Sequence, residues 1–313
     1  TEQWQKSGDY WYYLDDKGEM AVDSIIDDNG DTYYVDVNGV MVTNRWVAVD
    51  NENAGDENEP NQWWYYFGAN GKAYKRSESS TSDVSLKTIN GKKYAFDNYG
   101  RMISGFAVLQ MEANSFGTGF SSKKIVQKVD NENKYDNENN YNAFVKANDR
   151  LFTSGELKAY FFGSGDDGSM KVGKQTVEFD GEKFTFEFAK NGSDKGAGVN
   201  GLTDHKFYIG GKLATADNDS KIEVVVLDSN SKLVGKYTVE DALAAYGDGG
   251  KAHNKSNGDL DYTEYKLTRL PSGAKAYVVN TTGAMVKSGT KKDGDNFKVK
   301  TSNYTVDWVR LDE

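Results

Sequence analysis

Three markers recur at one spacing near the start of the chain. Tyr12 and Tyr33, Gly18 and Gly39, and Met20 and Met41 are each 21 residues apart. Ile25 and Trp46, at the opening position of their units, share the spacing. A unit this short cannot bury a hydrophobic face alone, so a chain built from it must stack copies. The first unit reads Trp4-QKSGDY-Trp11-Tyr12-Tyr13-LDDK-Gly18-Glu19-Met20. The second runs from Ile25 through Tyr33-Tyr34 to Gly39-Val40-Met41. The triplet alternates sides as a strand must. The Asn/Asp/Gly cluster after it is expected to supply the positive-φ turn, with Gly-x-Met as the returning strand.

The period persists with insertions. Trp46 leads to Trp63-Trp64-Tyr65-Tyr66-Phe67 and Gly71, and the acidic stretch DNENAGDENEPNQ lies between. Leu86 opens a unit with Tyr94-Ala95-Phe96 and Gly100-Arg101-Met102. Phe106 opens another, which reaches Tyr160-Phe161-Phe162 and Gly168-Ser169-Met170 after a longer insertion containing DNENKYDNENN. Both DNEN stretches are expected to be exposed loops. Tyr277-Val278-Val279 with Gly283-Ala284-Met285 is a late echo. Lys221-IEVVVLD reads as a strand. Tyr237-TVEDALAAY reads as a short helix with Thr238 as N-cap and Glu240-Asp241 in its first turn.

The first unit resembles the cell-wall-binding repeat of choline-binding and glucan-binding surface proteins of Gram-positive bacteria. INGKKYAFDNYGRMISG, WWYYFGANGKAYK and AYFFGSGDDGSMKVG look like variant repeats of gut clostridial surface proteins. FEFAKNGSDKGAGVNG followed by DHKFYIGGKLATAD resembles a segment that adjoins them. The resemblance implies an all-β solenoid of stacked β-hairpins. Residues 1–217 would form the repeats, with insertions at about 50–62 and 107–156. Residues 218–313 would be an atypical β-rich region, with a short helix, capping the array. It also implies attachment to wall polymers (choline, teichoic acid) or to glycans through aromatic sites.

In such relatives the opening Trp and the first triplet ring combine with a ring of the next repeat to cage a quaternary ammonium. Here the opening positions are Trp4, Ile25, Trp46, Leu86 and Phe106. The first triplet positions are Trp11, Thr32, Trp64 and Lys93. Only two units keep both rings. One expected site is therefore Trp46 and Trp64, with Trp63 or a ring of the adjoining unit as third wall. The other is Trp4 and Trp11 with Tyr33 or Tyr34. The alternative is a structural spacer or protein-interaction stalk of a larger surface protein, with every ring buried in hairpin stacking.

Composition agrees with that placement. The net charge is −10, from 38 basic and 48 acidic residues, which repels nucleic-acid phosphates and anionic membranes. No apolar run approaches the ~18 residues a membrane helix needs. The chain has no cysteine and starts at Thr1 rather than Met, which suggests an exported chain in mature or trimmed form. An extracellular, wall-associated protein is expected, with partners among wall polymers or glycans and other domains of a larger surface protein.

No constellation supports catalysis or a cofactor. His205 and His253 have no second ligand at metal spacing, and His205 reads as part of a strand. Gly196-Ala197-Gly198-Val199-Asn200-Gly201 matches G-x-G-x-x-G, but a strand-like stretch follows where a dinucleotide site needs a helix. Asp166-Asp167 sit in a Gly-rich turn and read as solvent-facing rather than as paired acids. Asp27-Asp28-Asn29-Gly30-Asp31 reads as a turn. Asn257-Gly258-Asp259-Leu260-Asp261 lacks the closing Glu of a calcium loop as well and also reads as a hairpin turn, with a weak calcium site expected, if anywhere, at Asp259 and Asp261.

Overall fold

The computed structural model describes residues 2–56, 59–76, 83–114, 119–132 and 134–312. The chain is mostly antiparallel β with three short helices among the described residues. It divides into two compact units, one of residues 1–130 and 160–171, the other of 131–159 and 172–313.

The first unit opens with three two-stranded hairpins. They pair Gln3–Ser7 with Tyr10–Leu14, Ser24–Asp28 with Asp31–Val35, and Arg45–Asp50 with Gln62–Phe67. The hairpin turn thus lies before the aromatic triplet, not after it. In the second hairpin it is Asn29-Gly30, both at positive φ (51° and 80°), as a tight two-residue turn requires. In the first two units Gly-x-Met is not a full returning strand. It closes by single bridges, Leu14 to Met20 and Val35 to Met41. The turn before it is built on an Asp. Asp15 Oδ1 accepts from the N–H groups of Lys17 and Glu19, and Asp36 Oδ1 from those of Asn38 and Val40. Asp97 repeats the pattern on Tyr99 and Arg101. The carboxylate supplies a local turn of the kind that lets Asp compete with a strand ladder.

Successive units are tied by backbone. Met41 N–H donates to the Trp11 carbonyl at 2.8 Å, and Ala73 N–H to the Thr32 carbonyl at 2.7 Å. Met170 N–H does the same to Lys93 at 2.8 Å. The acceptors Trp11, Thr32 and Lys93 are three of the four first-triplet positions and differ in side chain, so the ladder survives when the ring is lost.

After the third hairpin this unit forms a six-stranded sheet. Its order is Leu157–Phe162 (in this unit from Tyr160), Gly105–Ala113, Phe120–Lys128, Val84–Ile89, Lys92–Asp97, Met102–Ile103. Ala107, Val108, Leu109 and Phe96 are fully buried in it. The span 107–156 is therefore no simple loop. It carries two nine-residue strands, α1 (Glu138–Ala147) and α2 (Asp149–Ser154). The second DNEN segment supplies the N-cap: the Asn137 side chain accepts from Asn140 N–H at 2.9 Å. Tyr141 and Val145, one turn apart, are the buried face. In the first DNEN segment Asn51 is buried, and its amide donates to Glu59 at 2.9 Å and to the Pro60 carbonyl at 2.8 Å. Residues 57 and 58 lie outside the described residues.

The second unit holds α1, α2, a five-stranded sheet and an eight-stranded sheet. Ile222–Leu227 is wholly buried in the larger sheet, between Leu233–Tyr237 and Lys275–Asn280. Ile222, Val224 and Val226 serve one core cluster, and Val225 and Leu227 another. A continuous apolar run fits a strand covered on both faces. Thr238 caps α3 (Val239–Tyr246), its hydroxyl accepting from Asp241 N–H at 3.1 Å.

Candidate functional site

Strand alternation decides which rings meet. In the first hairpin Trp4 faces Tyr13 and Lys6 faces Trp11, so Trp4, Trp11 and Tyr13 share one side. In the third, Trp46 faces Tyr66 and Ala48 faces Trp64, so Trp46, Trp64 and Tyr66 share one side. The two arrangements match ring for ring. Trp4 meets Tyr13 edge-on at 5.1 Å and Tyr33 of the next unit at 5.0 Å. Trp46 meets Tyr66 at 5.2 Å and Tyr94 of the next unit at 4.9 Å. Interplanar angles of 61–68° place electron-poor ring edges on ring faces, the favoured geometry. Trp11 stands two residues before Tyr13, and Trp64 two before Tyr66.

Two of the expected rings go elsewhere. Trp63 pairs across from Val49 and lies on the opposite face of its strand from Trp64, so it is not the third wall. Tyr94, a ring of the adjoining unit, meets Trp46 on that side instead. Trp63 instead carries the Arg101 guanidinium over its ring at 4.3 Å. Tyr34 is likewise turned away from Trp4. It is buried, with its hydroxyl on Asp23, and burial together with that bond pushes its pKa up to about 12. The side is fixed by the period of two: neighbouring residues cannot share a face.

The two constellations differ in exposure. Trp11 is 40% exposed. Trp46 stacks on fully buried Phe96 at 5.8 Å and packs with Trp64 against Ile89 and Met102. The indole N–H groups of Trp4 and Trp64 are buried with no hydrogen-bond partner among the described residues. Trp64 and Trp63 reach the wall of a cleft of about 900 Å³, where Asn61, Asn98 and Asp97 supply polar groups. Asp50 is on the Trp64 side of its hairpin and accepts from Gln62 at 3.0 Å.

A lysine approaches both a lost and a kept ring position. Thr32 replaces the first triplet ring of the second unit. Its hydroxyl donates to Asp27 at 2.7 Å and accepts from the Lys75 ammonium at 3.0 Å. Lys6 places its ammonium 6.0 Å from the Trp11 ring centre. Sequence reasoning missed Lys75, covered Tyr94 only as an unnamed ring of the adjoining unit, and missed Tyr13 and Tyr66. The last two were legible as the residues two beyond Trp11 and Trp64.

The other candidates resolve into turns and contacts. Gly196–Gly201 leads into the strand Gly201–Thr203, not a helix. His205 is no strand residue. Asp204 and His205 form a positive-φ hairpin turn (49° and 57°), and the imidazole stacks on Tyr304 at 5.3 Å. Asp167 does not point free into solvent: Ser169 and Lys171 bond its carboxylate, and these bonds outweigh partial burial and lower its pKa. Asp259 accepts from the Asn257 amide at 2.6 Å in a hairpin turn. Among the described residues no three His, Cys, Asp or Glu side chains gather as a metal site would need. Among the described residues no helix is long and apolar enough to cross a membrane.

Residues 1–46 match the family model of the choline-binding repeat. A curated relative, Glucosyltransferase-S of Streptococcus mutans, is 28% identical over 280 residues, 83% of this chain. The chain spans only 16% of that relative's length. Among solved structures, a choline-binding domain from Streptococcus pneumoniae is 25% identical. The match covers 33% of this chain and 95% of that one, with a TM-score of 0.23. Choline binding protein F from the same organism is 17% identical over 97% of this chain and 98% of its own, with a TM-score of 0.25. What the family comparison identifies is a choline-binding repeat over residues 1–46.

Proposed function

We propose that this chain is a non-catalytic, extracellular binding module that attaches to bacterial wall polymers or glycans. The observation that carries the reading is the pair of matched aromatic constellations, Trp4/Trp11/Tyr33 and Trp46/Trp64/Tyr94. Each ring face offers negative charge density to a desolvated cation, worth roughly 0.5–2 kcal/mol per contact. A trimethylammonium group, as in choline, has the size and charge for such a cage. It is also the ligand class named for the matching repeat. The first constellation is the better site because Trp11 is open to solvent. Each site is weak alone, and tight attachment comes from engaging several on one polymer.

A specific observation favours the spacer alternative for the second constellation. Trp46 and Trp64 pack into a buried cluster with Phe96 and Met102. The test is a fluorescence titration of the intact chain with choline, then with soluble glucans. Saturable quenching that Trp11→Ala abolishes supports the reading. No saturable change with either ligand class leaves the rings as packing alone and makes the chain a spacer.

A further inference from the structure

Independently of the aromatic repeats, the unit of residues 131–159 and 172–313 contains a second cleft, of about 560 Å³. That is within the ordinary range for small-molecule sites. Val145, Ile209, Leu213, Leu233 and Val234 give it apolar walls. Two ion pairs of opposite sense line it. In one the ammonium is the buried partner: Lys212, 7% exposed, bonds Glu138 at 2.6 Å. In the other the carboxylate is buried: Glu223, 3% exposed, holds Lys236.

The pairs are not equally complete. Glu223 accepts from Lys236 with one oxygen and from Asp217 N–H at 3.3 Å with the other, and Lys236 also donates to the Thr215 carbonyl at 3.0 Å. Lys212 has three N–H donors but, among the described residues, one acceptor, Glu138. Beyond that its ammonium lies 5.0 Å from the Phe184 ring. A buried ammonium with open donors favours an anionic acceptor brought by a ligand. On the rim, the carboxylates of Asp149 and Asp241 make no hydrogen bond or ion pair among the described residues. Five carboxylates (Glu138, Asp149, Asp217, Glu223, Asp241) face three ammonium groups (Lys146, Lys212, Lys236) around the cleft. The surplus calls for a ligand with excess positive charge.

We propose that this cleft binds a basic amino acid, free or at the carboxyl end of a peptide, with its carboxylate on Lys212 and an ammonium on Asp149 and Asp241. The aliphatic side chain lies along Leu213, Leu233 and Val234. The anionic end needs a buried donor to hold it in place of water, which Lys212 supplies. The cationic end meets carboxylates that bonding within the protein has not used.

The test is calorimetric titration of the full chain with L-lysine, cadaverine, L-leucine and the dipeptide Ala-Lys. L-Lysine is expected to bind saturably. Cadaverine lacks the carboxylate and L-leucine the second ammonium, and each should bind at least about tenfold more weakly. Ala-Lys binding as well as L-lysine assigns the site to peptide ends, and weaker binding to free amino acids. The Asp149→Asn/Asp241→Asn double variant changes only rim groups. It should stay folded, with its unfolding transition lowered only slightly by the loss of two helix first-turn charges, and lose roughly tenfold in L-lysine affinity. No saturable heat from L-lysine or Ala-Lys up to about 10 mM, or unchanged affinity in the folded double variant, overturns the proposal.

Discussion

Gly39 lies directly beneath Met20 of the preceding unit: a Cβ on it would stand 2.7 Å from the methionine sulfur. Gly71 stands in the same relation to Met41, at 2.6 Å. The glycine and methionine of the Gly-x-Met signature are thus partners across units rather than within one. Gly39 also has φ +75°, a conformation that costs an L-residue about 1–2 kcal/mol. Gly39→Ala should therefore lose about 1–2 kcal/mol from strain, plus about 1 kcal/mol or less because the half-exposed Met20 side chain must swing aside. Gly18→Ala, at φ +81° with open space around it, should lose only the first part. Urea unfolding of both variants measures the difference. Equal losses would mean the methionine contact adds nothing.

Trp11 and Trp46 hold corresponding constellations but different burial. Trp11→Ala should abolish the choline response while changing stability by about 0.5 kcal/mol or less, as for an exposed side chain. Trp46→Ala removes a ring stacked on Phe96 and packed by Tyr66 and Tyr94, and should cost about 3 kcal/mol. Thermal unfolding run beside the titration separates the two. A large stability loss in Trp11→Ala would contradict its placement.

Lys6 already offers an ammonium to the Trp11 ring. An incoming cation must displace it, so Lys6→Gln should tighten choline binding by roughly two- to fivefold, the scale of one exposed cation–π contact. For an uncharged glucan stacking on the same ring, the change should be small. Weaker choline binding in the variant would show that Lys6 assists the site rather than competes for it.

The Tyr34 phenol has its pKa raised from 10.0 to about 12 by burial and by its hydrogen bond to Asp23. The fold thus prefers the neutral form. That stabilisation is complete below about pH 10 and is lost as pH rises through about 12. Tyr13, Tyr65 and Tyr208 are raised in the same sense, chiefly by burial. Stability should fall between pH 10 and 12, and Tyr34→Phe should flatten part of that fall. Denaturant midpoints across the range check it. An unchanged slope would show that Tyr34 does not titrate with unfolding.

Much of the repeat was legible because its signals are local. The 21-residue spacing, Asn29-Gly30 as turn and Thr238 as helix cap each depend on a few neighbouring residues. The assignment of the turn within the unit was wrong for a reason of the same kind. Two turn signals flank each triplet, and nothing local tells a hairpin turn from one closed by an Asp carboxylate, as at Asp15 and Asp36. The helix over residues 138–147 was hidden by its cap. Asn and Asp favour both loops and N-caps, and only Tyr141, Phe144 and Val145 at helical spacing reveal which.

The sequence by itself determined the unit, its strands and the rings that could meet a ligand. Tyr33 rather than Tyr34, and Tyr94 rather than Trp63, were decided by register, because a shift of one residue turns a side chain to the other face. Lys75 reaching Thr32 across 43 positions, and Lys212 reaching Glu138 across 74, were decided by tertiary structure alone. No local spacing encodes such contacts. They exist because stacking and sheet packing bring distant backbone together, and a charged side chain then takes the partner that burial leaves it.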